Sequence, residues 1–145
     1  MKVFLDTNVV LDFLADRVPF AEAAAGILAL AERGRLQAFV AAHTITTICY
    51  LISRDAGVEV ARFALLDLFD LVEVVPVDRQ RLLQALAMGG DDFEDAVQAV
   101  CAMVVEADFL VTRNPQDFPP ITTEVILPEP FLAQYQESSS SPGQT

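Results

Sequence analysis

The stretch Lys2-Val3-Phe4-Leu5-Asp6-Thr7-Asn8 decides the fold, because an apolar run stops abruptly on an acid and two residues that favour caps and turns. Residues 2–5 read as a first strand. The same pattern of short apolar runs rich in Val, Phe and Leu returns at 36–41, 72–75, 109–112 and 124–127. Between the runs lie longer segments of helical period, predicted over 9–15, 19–34, 44–55, 59–69, 78–88 and 92–107. Pro19 suits a first helical turn, Asp78 an N-cap, and Gly34, Gly57 and Gly89-Gly90 suit helix ends. In 92–107, Phe93, Ala96, Val97, Val100 and Val104 are expected to face inward. Alternation of this kind argues for an α/β fold, and right-handed crossovers place helices on both sides of the sheet. The expectation is a three-layer α/β/α domain around a roughly five-stranded parallel sheet.

The chain has 145 residues, 53% of them apolar, and a mean hydropathy of +0.40, enough for one substantial core. Disorder is excluded for most of it. Nine basic against twenty-one acidic residues leave a formal charge of -12, so the broad positive field of a protein that coats duplex DNA is absent. Cys49 and Cys101 form no C-x-x-C pair, which points to a reducing cytoplasm. No run resembles a membrane span, and Asp6 interrupts what would be the apolar part of a signal peptide. A single domain is expected over 1–134, with a flexible Ser-rich tail over 135–145.

Three acidic groups fall at strand ends or at a helix start beside them: Asp6, the pair Asp92 and Asp95, and Asp117. Ligands of open α/β sheets bind outside the carboxyl ends of the strands, so these acids are expected to share one mouth. Asp92 and Asp95, three apart, lie on one helical face, where like charges repel unless a cation sits between them. Mg2+ or Mn2+ is the natural partner, since both favour carboxylate oxygens and retain waters that serve as nucleophiles. A plainer reading exists for each acid: Asp6 as a cap of the first helix, and Asp91, Asp92, Glu94 and Asp95 as complements to a helix dipole. Asp95 fits that reading least, being flanked by Phe93 and Ala96-Val97 beside an apolar face, where an unpartnered acid is costly. Asn8, Thr112 and Asn114 are candidates to support the ligands or contact a phosphate, or to serve turns and caps, and Arg113 to meet the substrate or remain a solvated charge.

Other chemistries find less support. His43 is the single histidine and Ser53 the one serine before the tail, a poor basis for nucleophilic catalysis; His43 is expected instead to orient a loop by hydrogen bonding. The His/Cys clusters of zinc sites and the Gly-rich loop of nucleotide binders are missing. Asp6 after an apolar strand also resembles the nucleophile of haloacid-dehalogenase-type phosphatases, but that chemistry wants a downstream lysine and the sole lysine is Lys2. A binding role without catalysis is the alternative, since 63–69 (Phe63-Ala64-Leu65-Leu66-Asp67-Leu68-Phe69) offers much apolar surface for a second copy or a docked helix.

Three segments in chain order, Val3-Phe4-Leu5-Asp6-Thr7-Asn8-Val9, Asp92-Phe93-Glu94-Asp95-Ala96 and Leu110-Val111-Thr112-Arg113-Asn114-Pro115-Gln116-Asp117-Phe118, resemble the signature segments of the PIN domain family. The resemblance covers residues 1 to about 128. It implies a metal-dependent endoribonuclease, Asp6 and Asp95 as Mg2+ or Mn2+ ligands, and Asp92 and Asp117 supporting or sharing the ion. It further implies the toxin half of a toxin–antitoxin pair of the VapC type, with RNA as substrate and a cognate antitoxin as partner; for self-association through the apolar surface of 63–69, a homodimer is the default form. The chain departs from the family at two places. The segment Ala42-His43-Thr44-Ile45-Thr46-Thr47-Ile48-Cys49 has no acid, and Thr47 or Thr46 stands about where a glutamate is usual. Asn114 stands where many relatives carry an acid. Fewer charges mean weaker metal binding, so the alternative expectation is a catalytically weak or inactive PIN-like protein- or RNA-binding module.

Overall fold

The computed structural model describes residues 1–139. Strands β1 (Lys2–Leu5), β2 (Gln37–Ala41), β3 (Val72–Val75), β4 (Phe109–Val111) and β5 (Glu124–Ile126) form one sheet in the order β3-β2-β1-β4-β5, with every pairing parallel. Side chains of a strand alternate between faces, so the unbroken apolar run of β1 requires cover on both. Val3 and Leu5 enter the core beneath α1 (Thr7–Leu14), α2 (Ala21–Glu32), α3 (Ala42–Ala56) and α4 (Val58–Phe69). Phe4 enters the opposite core, under α5 (Arg79–Met88) and α6 (Phe93–Val104). The three-layer arrangement expected from the sequence is the one observed.

The chain steps outward from β1 to β2 to β3 and then crosses back to β4 on the other side of β1. Strand order therefore reverses between β1 and β4, the place where open α/β sheets leave a crevice. Asp6 and Thr112 are the residues immediately beyond those two strands, and the Asp6 amide extends the ladder by donating to the Val111 carbonyl at 3.0 Å.

Several boundaries differ from expectation. Helix α1 begins at Thr7 and α3 at Ala42, which puts His43 in a helical first turn rather than a loop. Gly57, at φ 101°, separates α3 from α4 in a conformation that a side chain would strain. On α6 the buried stretch is 96–102, and its terminal turns extend past the core, leaving Phe93 and Val104 exposed at 47% and 43% instead of facing inward.

The largest departure is α7 (Pro128–Ser139). Pro128 and Pro130 occupy its first turn, where the missing N–H groups have no intrahelical acceptor, so they permit the start of a helix that their presence disguises. Phe131 is enclosed by the core of α1–α4 and meets Phe109 edge-on, the ring centroids 5.3 Å apart. Gly26 of α2 makes room: a Cβ there would lie 3.0 Å from a Leu132 methyl. Residues 135–139, expected in a flexible tail, continue this helix, and Tyr135 lies against Phe131 with centroids 6.5 Å apart. Residues 140–145 of the expected tail lie outside the described residues. Among the described residues no helix is long and apolar enough to cross a membrane.

Candidate active site

Asp6 occupies the N-cap position of α1, yet its side chain makes no capping bond. Its carboxylate is held across the sheet instead. Gln98 Nε2 of α6 donates to Oδ1 at 2.9 Å and Thr112 Oγ1 donates to Oδ2 at 2.7 Å. Neither partner carries charge. Burial pushes the Asp6 carboxyl above its ordinary range, the Thr112 and Gln98 hydrogen bonds and the nearby Asn8 backbone oppose that, and the charge of Glu94 adds to it. An acid buried to 3% exposure without a cation is a group arranged for something other than capping.

Asp95, in the first turn of α6, is pushed up to about 7 by burial and then by the charges of Asp92, Asp6, Glu94 and Asp117. Every acid predicted for the site therefore lies within electrostatic reach of Asp95. Asp92 also performs the plainer role considered for it, its Oδ1 accepting the Asp95 amide at 3.1 Å as the N-cap of α6. Asp117 sits in the short 3-10 turn Pro115–Asp117, and with Asp91 and Asp92 it lines a cleft of about 440 Å3. Among the described residues no three His, Cys, Asp or Glu side chains converge to enclose a metal ion. A closed cage of protein ligands is thus absent from the described residues.

The remaining predicted residues are placed as follows. Thr112 is fully buried, bonded to Asp6 and accepting the Asn114 amide at 3.0 Å, so its hydroxyl supports the acid and does not face an incoming phosphate. Asn8 touches the site only through its backbone, which helps hold the Asp6 carboxyl down without forming a capping bond. Arg113 grips Asp12 through both carboxylate oxygens, at 2.6 and 3.3 Å, and stacks on Phe20 with its guanidinium carbon 4.0 Å from the ring centroid. Asp12, at 1% exposure, matches that positive charge, and Arg17 adds a longer contact at 3.8 Å. On α3, Thr46 turns back to the His43 carbonyl, whereas the fully buried Thr44 meets the Thr7 hydroxyl at 2.8 Å. Thr44 is therefore the α3 hydroxyl that reaches the start of α1.

Gln98 and Asp12 escape the sequence reading, which gave Glu94 only the role of complementing a helix dipole. A signal for Gln98 exists: it is the single polar residue within the apolar stretch 96–102. Its Oε1 accepts the Thr7 amide at 3.0 Å while its Nε2 holds Asp6, so one amide ties α6 to the end of β1. Gln98→Leu is expected to cost about 1–3 kcal/mol of unfolding free energy, because a buried amide and a carboxylate oxygen both lose their partner, and to weaken Mg2+ binding measured by calorimetry. Unchanged stability and unchanged metal affinity would remove Gln98 from this role. Glu94 lies 3.7 Å from His43 Nε2 and accepts from Thr7 Oγ1 at 3.3 Å; His43 and Thr7 draw its carboxyl below the ordinary range against the effect of burial. Both His43 ring nitrogens are shielded and without a hydrogen-bond partner among the described residues, so the loop-orienting hydrogen bond expected of His43 is not formed.

Fold and site together define a parallel α/β domain with a carboxylate cluster at its topological switch point. The PIN domain family model matches residues 2–116, and the chain belongs to that family. No curated protein matches it. Solved structures that share the fold include the following three. VapBC2 from Rickettsia felis, bound to a DNA fragment from its promoter, aligns with TM-score 0.67 and 16% identity over 87% of this chain and 97% of that one. FitAB bound to an IR36 DNA fragment gives 0.65 and 17% over 87% and 94%. VapC20 of Mycobacterium tuberculosis, a toxin that cleaves the sarcin–ricin loop, gives 0.61 and 17% over 74% and 86%.

Proposed function

We propose that this chain is a metal-dependent endoribonuclease and the toxin half of a toxin–antitoxin pair, with Mg2+ or Mn2+ held by Asp6 and Asp95 and supported by Asp92 and Asp117. The observation that carries the reading is geometric: the buried Asp6 carboxylate, held by Gln98 and Thr112 where the strand order reverses, has Asp92, Glu94, Asp95 and Asp117 gathered near it, close enough that burial and their charges push Asp95 up to about 7. Such a cluster is relieved by a divalent cation. The donor set suits Mg2+ in particular, which takes one or two carboxylates and completes its shell with waters and substrate phosphates rather than a protein cage. When bound, the ion supplies Lewis acidity toward a phosphodiester and lowers the pKa of water. The chain's own contribution is to hold Asp6 in one orientation through Gln98 and Thr112 and to gather negative charge that retains the ion. With a formal charge of -12 the protein neutralises few phosphates, which favours a short or structurally selected RNA.

The partners follow from the same reading. VapBC2 and FitAB are paired assemblies, and α4 leaves Phe63, Leu66 and Phe69 exposed at 66%, 63% and 51%, surface suited to a second copy or a cognate antitoxin. The two free cysteines, Cys49 half-buried and Cys101 buried, support a cytoplasmic setting. The absence of acids at Thr47 and Asn114 favours one alternative, a weak or inactive module that binds RNA or protein. Cleavage of RNA by the purified protein is expected to require Mg2+ or Mn2+, to stop with chelator and to vanish in Asp6→Asn with the circular dichroism spectrum intact. Cleavage indifferent to chelator and to Asp6→Asn would overturn the nuclease reading; RNA binding without cleavage would establish the module.

A further inference from the structure

A second cavity, of about 390 Å3, is walled by Phe20, Arg113, Asn114, Leu127, Pro128 and Pro130, two of which directly follow Thr112 in the chain. Its size falls in the range of ~300–1,000 Å3 common for ligand sites. Its position ties it to the carboxylates: the Asn114 amide bonds Thr112 Oγ1, which bonds Asp6. Its chemistry is planar and apolar. Asp12 satisfies the charge of Arg113 through both carboxylate oxygens, so what the guanidinium offers is a flat face, already stacked on Phe20. Phe20 remains 42% exposed. The rim carries Glu129, which repels a phosphate. The Asn114 carboxamide has no hydrogen-bond partner among the described residues and is able to pair with the polar edge of a flat heterocycle.

We infer that this pocket is a subsite for one unpaired nucleobase of an RNA strand whose backbone enters beside Asp6, stacked against the Phe20–Arg113 wall and bonded by Asn114. The inference rests on the ribonuclease reading and adds to it where substrate selection occurs. Base stacking on an aromatic side chain tolerates an acidic protein, since it needs no phosphate neutralisation. Pro128 and Pro130 in the first turn of α7 contribute to the pocket's wall together with Phe20.

The test is fluorescence anisotropy of a labelled single-stranded RNA with Ca2+ in place of Mg2+, alongside cleavage of the same RNA in Mg2+. Phe20→Ala is expected to weaken binding about tenfold and Phe20→Tyr to preserve it. Replacing one nucleotide of the RNA by an abasic ribose is expected to weaken wild-type binding by a similar factor and to leave binding by Phe20→Ala unchanged. The abasic measurement needs no variant, so misfolding cannot mimic it. Phe20→Ala that binds as wild type, or that keeps the full abasic penalty, overturns the pocket while wild-type cleavage still stands. Wild-type protein that holds RNA through Phe20 yet cuts none upholds the pocket and removes the nuclease reading. Wild-type protein that neither binds nor cuts RNA overturns both.

Discussion

Asp95→Asn is expected to abolish Mg2+- and Mn2+-dependent RNA cleavage and, at the same time, to raise the melting temperature of the metal-free protein at pH 8. The two effects share one cause. Burial and the charges of Asp92, Asp6, Glu94 and Asp117 push the Asp95 carboxyl up to about 7 in the folded chain, against about 3.9 in an unfolded one. An acid whose pKa is raised by folding binds more protons in the native state, so its contribution is full below about pH 4 and is lost as pH rises through about 7. The metal-free protein should therefore melt at lower temperature at pH 8 than at pH 5, and Asp6, raised in the same direction, steepens that slope. Asparagine removes the Asp95 share. Because Asp95 is partly open to solvent, the full shift is screened, and a gain of about 4 °C is expected, roughly what 1 kcal/mol makes in a domain of this size. Mg2+ should raise the melting temperature of wild type at pH 8 and that of Asp95→Asn far less. Scanning fluorimetry across pH, with and without Mg2+, reads all of this. A variant that melts lower than wild type at pH 8 without metal, or gains as much from Mg2+, would contradict the account of this cluster.

Phe131→Ala is expected to reduce the unfolding free energy by about 3–5 kcal/mol, measured by urea denaturation. The ring is 1% exposed, joins the core under α1–α4 and meets Phe109 edge-on. It is the one buried side chain among those described on α7, so its removal leaves a cavity and loosens the helix as well. A loss under about 1 kcal/mol would mean that α7 is not anchored through this residue. Proximity to the nucleobase pocket extends the consequence, because Pro128 and Pro130 sit within the same first turns of α7.

Much of the scaffold was legible because its signals are local. Val3-Phe4-Leu5 announces a strand covered on both faces, Asp78 caps α5 through the Arg81 amide at 3.0 Å, and Gly57 and Gly89 mark helix ends with positive φ. Asp6, Asp92, Asp95 and Asp117 could be grouped because strand ends of a parallel sheet share one edge. Where local signals mislead, the reading fails. The prolines of α7 look like a break, yet they open a helix that runs to Ser139. The inward face proposed for α6 took its period from the whole helix, although the core covers only 96–102.

The amino-acid order alone determined the layers, the parallel sheet and the set of acids, since periodicity, caps and turn residues act between neighbours a few positions apart. Which acid is clamped, which is capped and which arginine is neutralised was decided only by the tertiary structure. Gln98 meets Asp6 across 92 positions and Arg113 meets Asp12 across 101, and such pairs exist only once α6 has packed on the sheet and β4 has docked beside β1. No local pattern encodes them, because a hydrogen bond forms wherever folding brings donor and acceptor within about 3 Å, whatever their separation along the chain.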